Sequence, residues 1–193
     1  LDIVLATFNR DKARELRVLL AAPGRRLRDL TEFPGASVPA ETGATLLENA
    51  RLKAEAAVRL TGLPAIADDT GLEVDALDGA PGYRAARFAG PGAGDAENLA
   101  LLLERMKAVP PGRRTARFRT VCVACFPDGG ERVGEGVLEG LITEAPRGAG
   151  GFGYDPVFEV AGLGRTLAEL DDAGKNALSH RARAAVALAR LLP

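Results

Sequence analysis

Two long stretches rich in β-branched and apolar residues, Arg114 to Pro127 and Glu131 to Glu144, flank Asp128-Gly129-Gly130, which commits the chain to a β-hairpin late in its length. The earlier part follows a different pattern. Asp2 to Thr7 is a short apolar strand, and Asn9 to Leu20 places Ala13, Leu16, Leu19 and Leu20 at helical spacing, so the chain opens strand, tight turn, helix. Arg26 to Leu30 reads as a second short strand, and Phe33 to Gly43 as a loop punctuated by Pro34, Gly35, Pro39 and Gly43. The next helix is predicted from about Thr45 to Leu60. Thr45 and Glu48 fit a capping box, Leu46, Ala50, Ala54, Ala57 and Val58 form its apolar stripe, and Gly62 and Pro64 stop it.

Pro64 to Ala67 reads as a short buried strand that ends in Asp68-Asp69-Thr70-Gly71, with Leu72 to Ala76 as the strand that follows. Gly79 to Gly94 is a glycine- and proline-rich connection, and Ala96 to Met106 an amphipathic helix. Gly148 to Asp155 is a glycine-rich loop before a last short strand at Pro156 to Val160. The terminal helix is predicted over Ala177 to Leu192, with Ser179 near its cap. An α/β start with a hairpin inserted late defines an α/β fold of one domain over residues 1–193, with two lobes around a cleft.

At 193 residues, folding buries roughly 70% of the unfolded surface, so the core needs no disulfide or metal staple. A net charge of -1 excludes the basic excess of a duplex-DNA or polybasic membrane binder, so neither nucleic acid nor membrane is an expected partner. No apolar run approaches the roughly 18 residues of a membrane span. Leu1 to Leu5 lacks a basic n-region and reads as a strand rather than a signal peptide, so the expected location is the cytoplasm. Cys122 and Cys125 have redox or zinc spacing. They lie in an apolar strand-like run, however, where a separation of three sends side chains to opposite faces, so they are expected to be buried free thiols.

Only four of the 25 basic residues are lysines, the rest being arginine, so each lysine is informative. Thr7-Phe8-Asn9-Arg10-Asp11-Lys12 sits at a strand-to-helix junction, where free N–H groups and the helix dipole favour an anion; an ordinary Asn9 cap with a solvated lysine explains it as well. Glu41, Asp68 and Asp69 supply the hard oxygens that Mg²⁺ takes from one or two carboxylates, sharing its other positions with water and phosphate; a turn-capping aspartate is the alternative. Asn49 and Lys53, four apart, share a helix face and either line the cleft or are solvated; spacing alone favours solvation. In Gly150-Gly151-Phe152-Gly153-Tyr154-Asp155-Pro156, the glycines allow close approach and Phe152 could stack on a base. Lys175-Asn176-Ala177-Leu178-Ser179-His180-Arg181 gathers cations at a helix start, which the dipole disfavours unless an anion compensates; a lone histidine there is more often structural than a general base. There is neither a Walker sequence nor a dinucleotide fingerprint, so the inventory points to a nucleoside triphosphate hydrolase of non-P-loop type.

Six ordered motifs carry a resemblance: T-x-N-x-x-K at Thr7 to Lys12, E-T-G at Glu41 to Gly43, E-N-A-x-x-K-A at Glu48 to Ala54, A-D-D-T-G-L at Ala67 to Leu72, G-G-F-G-Y-D-P at Gly150 to Pro156 and S-H-R at Ser179 to Arg181. In these, collinear over essentially the whole chain, the sequence resembles the inosine triphosphate pyrophosphatase family, the non-canonical purine NTP pyrophosphatases also called dITP/XTP pyrophosphatases. The resemblance implies Mg²⁺-dependent hydrolysis of ITP, dITP and XTP to monophosphate and pyrophosphate, by a homodimer with an elongated, helix-flanked central sheet. It implies Asp69 as general base and Glu41 with Asp69 or Asp68 as metal site. Thr7 to Lys12, Lys53 and Lys175 would hold phosphates, with Thr70 also in the site. Phe152, within a base-binding segment that continues through Gly153 and Tyr154, would stack on the purine, while Asp155, His180 and Arg181 would read its edge. Two residues depart from the family pattern: Phe8 stands where glycine is usual, and Thr70 replaces the commoner serine. The rival readings are a nucleotide-binding sensor without catalysis and a house-cleaning pyrophosphatase for other modified nucleotides.

Overall fold

The computed structural model describes residues 1–37 and 39–193; Val38, within the loop expected over Phe33 to Gly43, lies outside the described residues. The elements are β1 (Asp2–Leu5), α1 (Arg10–Leu19), β2 (Arg26–Asp29), α2 (Leu46–Thr61), β3 (Ala65–Val74) and β4 (Pro81–Gly82), then α3 (Asp95–Met106), β5 (Thr115–Cys125), β6 (Glu131–Ile142), β7 (Phe158–Val160), α4 (Asp172–Leu178) and α5 (His180–Ala189). Parallel pairing of β1 with β2 and β3, and antiparallel pairing of β3 with β4 and of β6 with β7, give the mixed sheet of the expected α/β class.

The chain divides into two compact units. The first comprises Leu1–Asp69, Thr120–Gly136 and His180–Pro193. Its strands run in the order β2, β1, β3, β5, β6, and its core joins Ile3, Leu5, Leu16, Leu20, Ile66, Cys122 and Ala124 to Ala184, Ala185 and Leu188 of α5. The tight turn predicted at Asp128-Gly129-Gly130 is closed by Phe126 and Gly130 backbone bonds. On β6, Gly134 and Gly136 admit α5 at contact distance: a Cβ on Gly136 would stand 2.5 Å from Ala184 N and 2.7 Å from Arg183 Cβ. Glycine is therefore what lets the start of α5, with His180 and Arg181, lie against the strand.

The second unit comprises Thr70–Arg119 and Val137–Ser179. Its core packs Leu72, Leu102, Met106, Phe118, Leu138, Tyr154, Val157 and Phe158 together, and β7 lies on the outer side of β6. Buried Arg114 serves as a polar staple there, donating to the carbonyls of Met106, Val109, Ile142 and Thr143 at 2.7 to 2.9 Å. Those carbonyls close the end of α3 and tie it to β6, which satisfies a guanidinium that has left water.

Three sequence expectations change. The strand expected to stop at Ala67 continues as β3 to Val74, so Asp68, Asp69 and Thr70 are mid-strand rather than at a strand end. The strand can continue because each aspartate meets a cation, Lys12 and Arg181 at Asp68 and Lys53 at Asp69. The terminal helix predicted from Ala177 is two helices, divided at Ser179, whose ψ of 158° is extended and whose N–H closes α4 on Lys175 O. At α2, Thr45 caps as predicted, its Oγ1 accepting from Glu48 N, but Glu48 reaches back one residue further than a capping box requires, to Ala44 N.

Cys122 and Cys125 are buried free thiols, and burial pushes the Cys125 thiol up to about 11 and the Cys122 thiol higher still. Neither should exchange with a disulfide reagent at pH 8 in the native state, and both should do so in denaturant, because the thiolate is the reactive form. Stoichiometric labelling of the native protein would contradict this placement.

Candidate active site

The first unit gathers its charged residues on both sides of β3. Consecutive strand residues point to opposite faces, so Asp68 and Asp69 serve different neighbours. On one side, the Asp68 carboxylate accepts from Arg181 Nε at 3.1 Å and pairs with Lys12 Nζ at 3.2 Å, while Arg181 Nη1 donates to Glu15 Oε2 at 2.6 Å. Lys12 is delivered by the predicted junction: Thr7 Oγ1 accepts from Asn9 N, and Asn9 Oδ1 caps α1 by accepting from Lys12 N at 3.0 Å. Phe8, Asn9 and Arg10 are exposed in this turn, and Asp11 is half-buried. On the other side, Lys53 of α2 donates to Asp69 Oδ1 at 2.9 Å and to Glu41 Oε1 at 3.2 Å.

These neighbours drive the two aspartates apart in acidity. Burial opposes ionisation of Asp68, but Lys12, Arg181 and Lys53 overcome it and hold its pKa well below the usual carboxylate range. At Asp69 burial prevails over Lys53 and Lys12, and with Glu41 nearby the pKa rises. Burial likewise disfavours the Lys53 ammonium, yet Asp69, Asp68 and Glu41 keep its pKa above the ordinary lysine value. Adjacent carboxylates pushed in opposite directions divide the roles: one a fixed anion, the other able to take up a proton.

Among the described residues, no three His, Cys, Asp or Glu side chains group into a metal cage, and the set expected from the resemblance is smaller, Glu41 with Asp69 or Asp68. Glu41 and Asp69 already share one cation, the Lys53 ammonium, and Asp69 Oδ2 is buried without a hydrogen-bond partner among the described residues. That donor set fits a Mg²⁺ ion that takes two carboxylates and completes its shell from water and phosphate. Asp68 is held by Lys12 and Arg181 on its own face.

Two residues lie elsewhere than their sequence pattern alone indicated. Asn49, for which spacing favoured solvation, is fully buried and accepts from Gly43 N, and Lys53 is half-buried over Asp69. Arg181, which the resemblance places at the purine edge, is 1% exposed and engaged with Glu15 and Asp68; His180 beside it is buried, in keeping with a structural histidine. Glu15 was not among the residues sequence reasoning singled out. Its signal was there: it stands three residues after Lys12, next to buried Leu16 on the inward face of α1.

The second unit builds the aromatic loop. Asp155 Oδ2 accepts from Phe152 N at 3.0 Å and from Lys175 Nζ at 2.6 Å, and the Lys175 ammonium lies 4.5 Å from the Phe152 ring centroid. Gly153 N donates to Asp95 at the start of α3, and buried Tyr154 donates through its hydroxyl to Ala85 O at 2.7 Å. The half-buried Phe152 ring is thus oriented from below by its own loop, with Lys175 on one face by a cation–π contact. Lys175, expected among the phosphate ligands, is 3% exposed and committed to Asp155 and Phe152. Thr70 lies half-buried on β3 next to Asp69.

Known proteins match the chain in sequence and in fold. The family model described as the Ham1 family covers residues 3–191, and the chain belongs to that family. It is 50% identical over 183 residues to a dITP/XTP pyrophosphatase of Geobacillus kaustophilus, covering 95% of this chain and 90% of the relative. It is also 50% identical over 188 residues to a dITP/XTP pyrophosphatase of Thermus thermophilus, covering 97% and 90% respectively. Among solved structures, a HAM1 protein from Coxiella burnetii superposes with a TM-score of 0.87 at 44% identity, covering 99% of this chain and 98% of that one. A nucleoside-triphosphatase, dITP/XTP pyrophosphatase, from Mycobacterium abscessus gives 0.77 at 45% identity, with both chains fully covered.

Proposed function

We propose that this protein is a hydrolase of phosphoanhydride bonds, a pyrophosphatase that converts non-canonical purine nucleoside triphosphates, ITP, dITP and XTP, to monophosphate and pyrophosphate. The observation that carries the reading is the pair Asp68 and Asp69, one held ionised by Lys12 and Arg181, the other raised in pKa beside Lys53 and Glu41. The near-full-length relatives at 50% identity support the same activity. They disfavour a sensor that has lost catalysis, which would have no use for a water-activating carboxylate.

In this reading Asp69 accepts the proton of the attacking water. Lys12 and Lys53 exchange their carboxylate partners for phosphate oxygens as substrate arrives, and the turn from Thr7 to Asp11, exposed at Phe8, Asn9 and Arg10, offers backbone N–H groups to the same phosphates, with Phe8 closing over them and the Thr70 hydroxyl beside Asp69. Glu41 and Asp69 would hold Mg²⁺, whose chemistry when bound is to neutralise phosphate charge in the in-line displacement. Phe152 stacks on the purine, with Gly153 and Tyr154 shaping the loop and Lys175 and Asp155 holding the ring. Asp155, His180 and Arg181 are assigned to the base edge, Arg181 while it keeps its bonds to Asp68 and Glu15. A 6-oxo group accepts hydrogen bonds where adenine presents an amino donor, so a guanidinium there selects hypoxanthine and xanthine. We place the enzyme in the cytoplasm as a homodimer.

The test is kcat/KM for ITP and XTP against ATP and GTP. A preference of about 10²-fold or more for the 6-oxopurines lacking a 2-amino group is expected; equal turnover of ATP and ITP would refute the assignment. Phe152→Ala is expected to raise KM about 5- to 150-fold, the loss of one base–aromatic stack, with a smaller effect on kcat. An unchanged KM would remove Phe152 from the base site.

A further inference from the structure

The segment carrying Glu41 has no regular structure of its own, and two adjacent amides tie it to the first turns of α2. Gly43 N donates to Asn49 Oδ1 at 2.9 Å, and Ala44 N donates to Glu48 Oε2 at 2.6 Å. The two ties differ in setting. Glu48 is exposed and competes with water, whereas Asn49 is 0% exposed. A bond to a fully buried acceptor is the stronger constraint, because breaking it leaves a polar group desolvated and unpaired. Asn49 Nδ2 is buried without a hydrogen-bond partner among the described residues, so burying this amide carries a cost that the bond to Gly43 offsets in part.

Gly43 is shaped for this contact. A Cβ there would stand 2.6 Å from Glu48 Cβ and 2.7 Å from Asn49 Oδ1, so only glycine brings the loop backbone down onto α2. One helical turn beyond Asn49 on the same face, Lys53 reaches the Glu41 carboxylate at 3.2 Å. The loop is therefore pinned at Gly43 by Asn49 and at Glu41 by Lys53, and the polar residues of the E-N-A-x-x-K-A motif all act on one short segment.

We propose that Asn49 is a positioning residue for the divalent-cation site: its buried amide oxygen fixes the backbone two residues beyond Glu41 and keeps that carboxylate beside Asp69 when Lys53 turns to substrate. This rests on Glu41 and Asp69 being the cation site. Ordering a ligand through a buried outer partner is how metal sites hold affinity, and removing such a partner typically weakens binding by about 10- to 100-fold.

The test uses the full-length protein with four substitutions. Hydrogen exchange of the Gly43 amide, measured without metal or nucleotide, reads the tie directly; the Mg²⁺ concentration for half-maximal hydrolysis of ITP reads its consequence. In Asn49→Leu the Gly43 amide is expected to exchange at least about 10²-fold faster while amides in the middle of α2 are unchanged, and the half-saturating Mg²⁺ rises about tenfold, with KM for ITP at saturating Mg²⁺ nearly unaltered. Asn49→Asp keeps an acceptor for Gly43 and should keep the amide protected. Gly43→Ala, on the loop side of the contact, should reproduce both effects, and it carries the test if Asn49→Leu does not fold. Unchanged Gly43 exchange in both variants, loss of protection in Asn49→Asp, or an unaltered Mg²⁺ requirement would overturn the proposal. Glu41→Gln separates the two claims. If it leaves the Mg²⁺ requirement unchanged, the cation-site reading itself fails; if it raises that requirement while Asn49→Leu and Gly43→Ala do not, only the role of Asn49 falls.

Discussion

Asp69→Asn is expected to lower kcat for ITP by about 10²- to 10⁴-fold, the contribution of a positioned general base, with KM changed far less. The substitution keeps size and a hydrogen-bond acceptor for Lys53, so the lysine remains between residue 69 and Glu41 at the 3.2 Å contact it makes with the latter. What disappears is a carboxylate whose pKa burial raises above the ordinary value, which makes it a better proton acceptor for the attacking water. Steady-state kinetics with a parallel nucleotide-binding titration decides the matter: loss of kcat with binding retained supports the role, and near wild-type turnover would remove Asp69 as the base.

The second large effect is on stability. Arg181 lies 1% exposed between Glu15 and Asp68, and Arg181→Met would remove the guanidinium that both carboxylates share. Breaking a buried ion pair from one side costs about 3–5 kcal/mol, because the orphaned charge stays out of water. At this chain length that corresponds to a Tm lower by roughly 6–20 °C. Asp68→Asn should destabilise less, since the amide still accepts from Arg181 and Glu15 still balances the guanidinium. A thermal melt that shows Arg181→Met within about 0.5 kcal/mol of wild type, the range of an ordinary surface change, would show that the triad is not a structural unit.

The positions of most elements were legible because local rules and the fold agree. Asn9 and Thr45 cap the helices they were expected to cap, and the Asp128-Gly129-Gly130 turn closes its hairpin. The exceptions arise where tertiary contacts override a local rule. Two consecutive aspartates and a glycine read as the end of a strand, yet β3 runs through them because cations delivered by α1, α2 and α5, distant in sequence, neutralise the charge. Arg181 and Asp68 lie 113 residues apart, a pairing that no periodicity encodes. Scarce lysines marked Lys175 as informative, and the resemblance implied a phosphate for it. In the structure its ammonium meets Asp155 and the ring of Phe152, contacts between segments 20 residues apart that a linear motif does not show. Asn49 shows the converse: helical spacing assigned its face, and only the approach of Gly43 turns that face into a buried one.

The most direct measurement is the identity of the phosphorus product released from ITP, assayed with Mg²⁺ and again with excess EDTA. Pyrophosphate in one-to-one ratio with IMP, abolished by EDTA, is the expected result. Orthophosphate with IDP, or pyrophosphate release that persists in EDTA, would contradict it.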